Sequence, residues 1–402
     1  FKTGSMFVTP FKFSPSGVGL PSYLDQKAGE LRVLPLTSFS GYASLGQNVP
    51  TFTHFEVVSA KLSVSHIRGA HSLRAGFDQR QQFRTGAADA NTSGNFGFSN
   101  TFTRREDDTL TPAGSLGHSW AAFMMGLPDT LTIQTTDNYA THSAYYAWYV
   151  QDNWRLTPKL TVNLGLRAEY ELGQTERYNR AIGGFDPAVK LPITDAAQAA
   201  YAAKPIPELA ASQFAVVGGS LYPGVGGRSR SLNQNQWMWL PRLGTAYQLN
   251  PKTVLRAGYG FYFDTFNVQS LSPDQTGFSR TTSGTVTNNF GMDWLIGDPR
   301  RGVSPLTDPF PVRADGTRFD LPVRDGLGLM ARTGAGWSFL SFNVERARQQ
   351  RWRVGVQRQI GANAAVEVAY AGSYSDRLGV NRKLDVLPGE YWADGLVRNN
   401  TI

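Results

Sequence analysis

Hydrophobic and polar positions alternate with a period of two between His142 and Leu172. Leu160, Val162, Leu164, Leu166, Ala168, Tyr170 and Leu172 fall on one face, and Thr161, Asn163, Gly165, Arg167, Glu169 and Glu171 on the other. Successive side chains of a strand point to opposite faces, so the pattern predicts a strand with one apolar and one charged surface. The residues before it predict a partner strand, joined through a tight turn at Arg155–Pro158. A soluble sandwich would show the same alternation. Two features favour a membrane barrel. The run is close to the roughly 9–11 residues a tilted strand needs to cross a bilayer. Aromatic residues crowd its ends, with Tyr145, Tyr146, Trp148, Tyr149 and Trp154 before the turn and Tyr170 after it. That placement predicts an interfacial girdle.

Three more hairpins carry the same period. Val58, Ala60, Leu62 and Val64 share a face in a strand from His54 to Ser65. A turn at His66–His71 leads to Leu73, Ala75 and Phe77, backed by Arg74, Gly76, Asp78 and Arg80. Trp237, Trp239, Leu243, Tyr247 and Leu249 precede the turn Asn250-Pro251-Lys252. Leu255, Ala257, Tyr259, Phe261 and Phe263 follow it, with Arg256, Gly258, Gly260 and Asp264 behind. Trp352, Val354 and Val356 face Val366, Val368, Tyr370 and Tyr374 across the turn Gly361-Ala362-Asn363, with Arg351, Arg353, Gln357, Glu367 and Ser373 on the polar side. Asn95–Arg104 (Phe96, Phe98, Phe102) and Leu131–Thr136 predict two further strands. Leu116, Trp120, Phe123, Met124 and Leu127 are spaced as on a helix, closed by Gly126 and Pro128; this predicts a short amphipathic helix packed on a rim.

The connections sort into two kinds. Turns at Gly69, Pro158, Pro251 and Gly361 are tight, whereas Gly173–Asn235 and Phe266–Phe342 are long and rich in loop-forming residues. Residues 1–50 also predict loop, with one short strand. Counting every predicted strand places the long connections at one end of the sheet and the tight turns, with the helix, at the other. Outer-membrane barrels have this asymmetry, and compact soluble domains rarely carry structureless loops beyond roughly 12–15 residues. The expected fold is all-β: an antiparallel up-and-down transmembrane β-barrel with long extracellular loops, of which residues 1–402 supply about ten strands as one partial barrel domain.

Composition narrows the function. The chain has 402 residues and no cysteine, which excludes Cys-ligated zinc, iron–sulfur clusters and thiol catalysis and fits an oxidising periplasm. Mean hydropathy is −0.30, and no stretch approaches the roughly 18 apolar residues of a membrane helix. A net charge of +8 raises nucleic-acid binding, but the arginines are scattered rather than clustered, so no nucleic-acid partner is expected. The five histidines show no HExxH and no metal-ligand spacing. His66 and His71 flank a turn and are read as solvated. Gly224–Gly227 lacks the Lys-Ser/Thr of a phosphate loop, and Arg104–Asp108 reads as a solvated charge run. No catalytic constellation, metal site or cofactor is expected. The candidate lumen-facing residues are Arg74, Arg167, Glu169, Arg242, Arg256, Arg353 and Glu367. Charge on the lipid face costs roughly 2–4 kcal/mol at mid-bilayer, so confinement to the polar face needs no ligand to explain it. Asp152 and Arg358 depart from this, on apolar faces beside tight turns. Phe1 in place of Met and the loop-like ending RNNTI suggest a piece of a longer precursor. The first and last strands are not expected to pair, and the isolated piece is expected to aggregate.

The hairpin YYAWYVQDNWRLTPKLTVNLGLRAEYE resembles the YVQDDWRVTPRLTLNLGLRYE hairpin of TonB-dependent receptors, in particular their Oar-like group, which includes carboxypeptidase-regulatory-like-domain proteins. HSLRAGFDQRQ, SWAAFMMGLPD, TERYNR, WLPRLGTAYQLNPKTVLRAGYGFYFD and RWRVGVQRQIGANAAVEVAYAGS follow the same family in order and span most of residues 54–385. The resemblance implies an outer-membrane barrel in contact with lipid, with a plug domain in its lumen. It also implies a TonB-type energy-coupling protein and an extracellular ligand that the sequence does not name. No plug sequence, TonB box, amino-terminal sandwich or terminal aromatic strand is evident, and such transporters close with about 22 strands. A passive porin, a structural surface protein and a secreted β-rich enzyme are the other readings.

Overall fold

A computed structural model of the chain describes residues 2–5, 13–29, 32–46, 53–87, 91–104, 118–207, 209–266, 275–336, 338–383 and 389. Its main sheet contains β1 (Lys2–Ser5), β4 (Thr53–Arg68), β5 (His71–Ala87), β8 (Asn138–Thr157), β9 (Leu160–Glu171), β13 (Gln236–Asn250), β14 (Thr253–Phe263), β16 (Arg348–Ile360) and β17 (Ala364–Asp376). The order is β1-β4-β5-β8-β9-β13-β14-β16-β17, antiparallel throughout, and the two-residue β10 (Thr175–Glu176) adds to β8. Among the described residues no ladder joins β17 to β1 or β4.

Local chemistry fixes the four hairpin turns. Gly69 and Gly361 take positive φ, which only glycine adopts without a Cβ penalty. Thr157 Oγ1 accepts from the Lys159 and Leu160 amides, and Asn250 Oδ1 accepts from the Lys252 amide. Each of these side chains folds the backbone back on itself.

Register sets the faces. Leu164 is level with Leu243, Leu243 with Tyr259, and Tyr259 with Trp352. Paired residues share a face, so this apolar row runs across four strands, β9, β13, β14 and β16, and meets Asp152 on β8. Arg167 and Arg256 lie on the other surface. On the apolar side the Trp148 and Trp237 rings are 5.7 Å apart, those of Tyr170 and Trp237 4.7 Å, and those of Phe77 and Trp148 5.5 Å. This belt crosses β5, β8, β9 and β13. Ten residue steps separate Tyr170 from Leu160; at ~3.4 Å each and ~40° tilt they span about 26 Å, the height of a barrel's apolar band.

Three expectations need correction. Tyr145 pairs with Glu171 and Tyr149 with Arg167, so these two tyrosines face the polar side and only Tyr146, Trp148, Trp154 and Tyr170 remain in the girdle. Period two alone requires this. Residues 95–104 and 131–136 are not barrel strands. β5 pairs with β8 without interruption from His71↔Trp154 to Ala87↔Asn138, leaving no place between them. The intervening residues, including helix α2 (Ser119–Met124), therefore leave from the end opposite the tight turns; Leu116 lies outside the described residues.

The long connections are also not irregular throughout. β2 (Leu36–Phe39), β3 (Tyr42–Leu45), β6 (Asn95–Phe98), β7 (Thr130–Thr136) and β15 (Ser279–Gly284) form a second sheet in the order β15-β7-β6-β2-β3, in which β2 and β6 run parallel. Helix α1 (Ser22–Ala28) and α2 cover it around Leu24, Phe39, Phe96, Phe98, Leu131 and Ile133, all buried. Strands β11 (Gly184–Lys190) and β12 (Val217–Leu221) pair beside helix α3 (Thr194–Ala203). Segments from three connections thus bury one aromatic core as a cap above the main sheet.

Candidate functional site

The polar face of the main sheet gathers every candidate the alternation singled out. Arg74, Arg167, Glu169, Arg242, Arg256, Arg353 and Glu367 all lie on it by register. They fall into two zones.

Toward the cap the charges neutralise one another. Arg167 donates from Nε to Glu169 Oε1 at 2.6 Å, and from Nη2 to the Tyr145 hydroxyl at 2.9 Å and to Asp78 Oδ2 at 3.3 Å. Arg80 Nη2 donates to the same Asp78 Oδ2 at 2.7 Å, and its guanidinium lies 5.1 Å from the Tyr145 ring centre. Two arginines thus face two carboxylates, with a phenol sharing the donors. Linked pairs of this kind satisfy each group where bulk water is scarce. At the sheet's upper rim Glu171 Oε2 accepts from Arg346 Nε at 2.8 Å and from the Phe266 amide at 3.2 Å.

In the ladder rows next to that of Arg167, on its turn side, the balance reverses. Arg353 donates to Glu367. Arg242 and Arg351 instead place their guanidiniums 4.9 and 5.0 Å from the Tyr262 ring centre. Arg74 and Arg256 have no ion-pair partner among the described residues. A trough of ≈ 770 Å³ runs across this zone, lined by Gln151, Asn153, Asn163, Arg242, Arg351 and Arg353 among others.

On the apolar face, His71 Nδ1 and Asp152 Oδ2 are 2.6 Å apart, with the imidazole stacked on Trp154. Asp152 is thereby paired rather than left alone against lipid. His66 is level with Leu73 instead of meeting His71. Among the described residues no cluster of three His, Asp or Glu could hold a metal. Arg105–Asp108 lie outside the described residues.

The cap carries its own polar network. Tyr23 donates to neither barrel zone; its hydroxyl accepts from the Phe310 amide at 3.1 Å beneath the Arg318 guanidinium, 4.2 Å from the ring centre. Burial pushes the Tyr23 phenol up and the Lys27 ammonium down. The hydrogen bonds from Arg313 hold Asp320 below the ordinary carboxylate range, and those from Arg300 do the same for Asp298.

The sequence matches the outer membrane beta barrel domain over residues 6–401. The chain belongs to that family. This outer membrane β-barrel domain therefore sits in the outer membrane, its apolar face against lipid. No curated protein matches it by sequence. Among solved structures, the copper transporter OprC is similar at 8% identity and a TM-score of 0.31, covering 77% of this chain and 28% of its own. The unliganded ferric citrate transporter FecA aligns at 12% and 0.28, covering 81% and 32%. The ferric-catecholate import receptor Fiu from E. coli K12 aligns at 11% and 0.31, covering 82% and 32%. The chain spans about a third of the length of these structures.

Alternation identified the polar face but not the groups that complete it. Tyr145 lies within the aromatic run that predicts the girdle, yet its register with Glu171 puts it on the face of Arg167. Arg346 lies in a stretch with no period, so nothing in the sequence marks it.

Proposed function

We propose that this outer membrane β-barrel domain is part of the wall of a TonB-dependent receptor that moves a ligand across the outer membrane, and that it carries no catalytic activity. The observation that supports the reading most is the two-faced main sheet: one face is apolar with an aromatic belt, and the other is charged and continuous with a folded cap. A charged face opposite a lipid-facing apolar one suits a water-filled lumen occupied by a plug domain, with a TonB-type protein supplying the energy. The tight turns then face the periplasm and the cap faces outward, as the loop asymmetry of outer-membrane barrels requires. Ligand capture falls to the cap, because binding residues concentrate on connections held by a rigid scaffold.

Deleting residues 275–336 from the gene product tests this. The expected result is a protein that still reaches the outer membrane but no longer supports ligand uptake or surface ligand binding. Uptake that persists unchanged, or that is independent of the energy-coupling protein, would instead favour a passive pore.

A further inference from the structure

In the ladder rows below that of Arg167 the polar face is cationic and smooth, and the sheet itself requires neither property. One ladder row crosses six strands as Arg74, Gln151, Gly165, Arg242, Gly260 and Arg351. The next row below reads Asn153, Asn163, Gly244, Gly258 and Arg353. In the trough these rows form, no carboxylate is among the lining residues. Arg242 and Arg351 both rest against Tyr262. Arg351 Nε also donates to the Gln349 side-chain oxygen, but among the described residues no anion stands beside either guanidinium, so both charges stay uncompensated.

The glycines are equally telling. A Cβ on Gly165 would come no closer than 3.6 Å to any neighbour, and one on Gly258 no closer than 3.7 Å. Neither has positive φ. Side chains fit at both positions, and glycine within a strand weakens it. Where packing does not call for glycine, a bare strand surface suits a second backbone lying close against it.

We propose that this zone is a docking track for an extended acidic polypeptide segment. Its carboxylates pair with Arg74, Arg242 and Arg351, and its backbone lies over Gly165, Gly244, Gly258 and Gly260. Gln151, Asn153 and Asn163 offer both donors and acceptors to its peptide groups. From β5 to β16 is five strand spacings, ~24 Å, which about seven extended residues cover. A small anion would use the arginines but not the glycine floor. The inference rests on the polar face being the lumen wall.

The test uses the purified gene product in detergent micelles and a labelled heptapeptide of alternating Glu and Ser. The Glu peptide is expected to bind and its Lys-for-Glu twin not to. Arg242→Gln/Arg351→Gln should weaken binding at least tenfold while leaving the β-sheet circular dichroism signal unchanged. Gly258→Leu should abolish peptide binding without altering the weak binding of inorganic phosphate. Equal binding of the Lys peptide, no binding of either peptide, or full binding to Gly258→Leu would each overturn the proposal. The lumen reading is checked separately in lipid vesicles with Asn163→Cys and Leu164→Cys: a water-soluble thiol reagent should reach the first only. If it does not, the lumen reading fails, whatever the peptide does.

Discussion

Arg346 donates to Glu171 across 2.8 Å with its side chain 0% exposed and that of Glu171 3% exposed. The pair joins the last residue of β9 to the segment entering β16, 175 residues on. The guanidinium also lies 4.9 Å from the Phe266 ring centre, and the Arg346 amide donates to Gln236 Oε1. One arginine thus ties the cap's last connection to the rim.

Breaking this pair leaves a buried charge alone. Arg346→Ala should cost about 3–5 kcal/mol, because the remaining carboxylate keeps its burial and loses its counter-charge. Arg346→Met/Glu171→Leu should recover much of the loss, since an apolar pair of similar volume removes both desolvation costs. Denaturant midpoints in micelles for the three variants measure this. A double variant less stable than Arg346→Ala would contradict the account.

Gly173 and Gly165 should respond oppositely to alanine. A Cβ at Gly173 would stand 1.9 Å from the Asn233 carbonyl oxygen, where the Gly173 amide donates to Asn235 and the Gln174 amide to Asn233. Gly173→Ala should break this rim tie, cost about 1–3 kcal/mol as overpacking does, and expose residues 174–235 to protease. Gly165→Ala has room and should leave the digestion pattern unchanged.

The contrast between those glycines marks the limit of what alternation conveys. The four hairpins, their faces and the seven polar-face candidates were legible because each side chain's face follows from parity alone. The cap was not. Its sheet pairs β2 with β6 and β7 with β15, short strands brought together from three connections, and no local period records such long-range pairing. The same gap makes β6 and β7 resemble barrel strands: a short alternation such as Asn95–Phe98 or Thr130–Thr136 looks alike in either sheet. Arg346 and Gly173 matter through partners far off in sequence, which a single chain read locally cannot reveal.

Acid should loosen the cap through its carboxylates. Asp320 accepts from Arg313 Nη1 at 2.7 Å and Asp298 from Arg300 Nε at 3.0 Å, and both pKa values are lowered by these bonds. A carboxylate whose folded pKa lies below its unfolded value of about 4 adds stability that is whole above that value. The contribution is lost as pH falls through the lowered folded value. Tryptophan fluorescence of the cap, followed from pH 7 downward, should report a transition below about pH 4. Asp320→Asn should lower cap stability at pH 7 and flatten its dependence on acid. Both carboxylates are partly exposed and their arginine partners more so, so the change should be modest and should shrink in high salt.

Adjacent positions on β9 should differ sharply in their tolerance of charge. Leu164 belongs to the outer row with Leu243, Tyr259 and Trp352, while Asn163 faces the polar trough between Asn153 and Gly244. An arginine at 164 would enter lipid near the middle of the band and cost roughly 2–4 kcal/mol. An arginine at 163 would join Arg242 and Arg353 in water at little cost. The outer row already holds one charge, Asp152, level with Leu164, but that carboxylate has His71 as a partner 2.6 Å away. Leu164→Arg would have none: its nearest carboxylate is the one His71 already holds, and taking it would strip the imidazole. Leu164→Arg should therefore deplete the protein from the outer-membrane fraction, Asn163→Arg should leave it at wild-type abundance, and His71→Ala/Leu164→Arg should regain part of the loss. Equal depletion by the two single variants would mean that the faces of β9 are wrongly assigned.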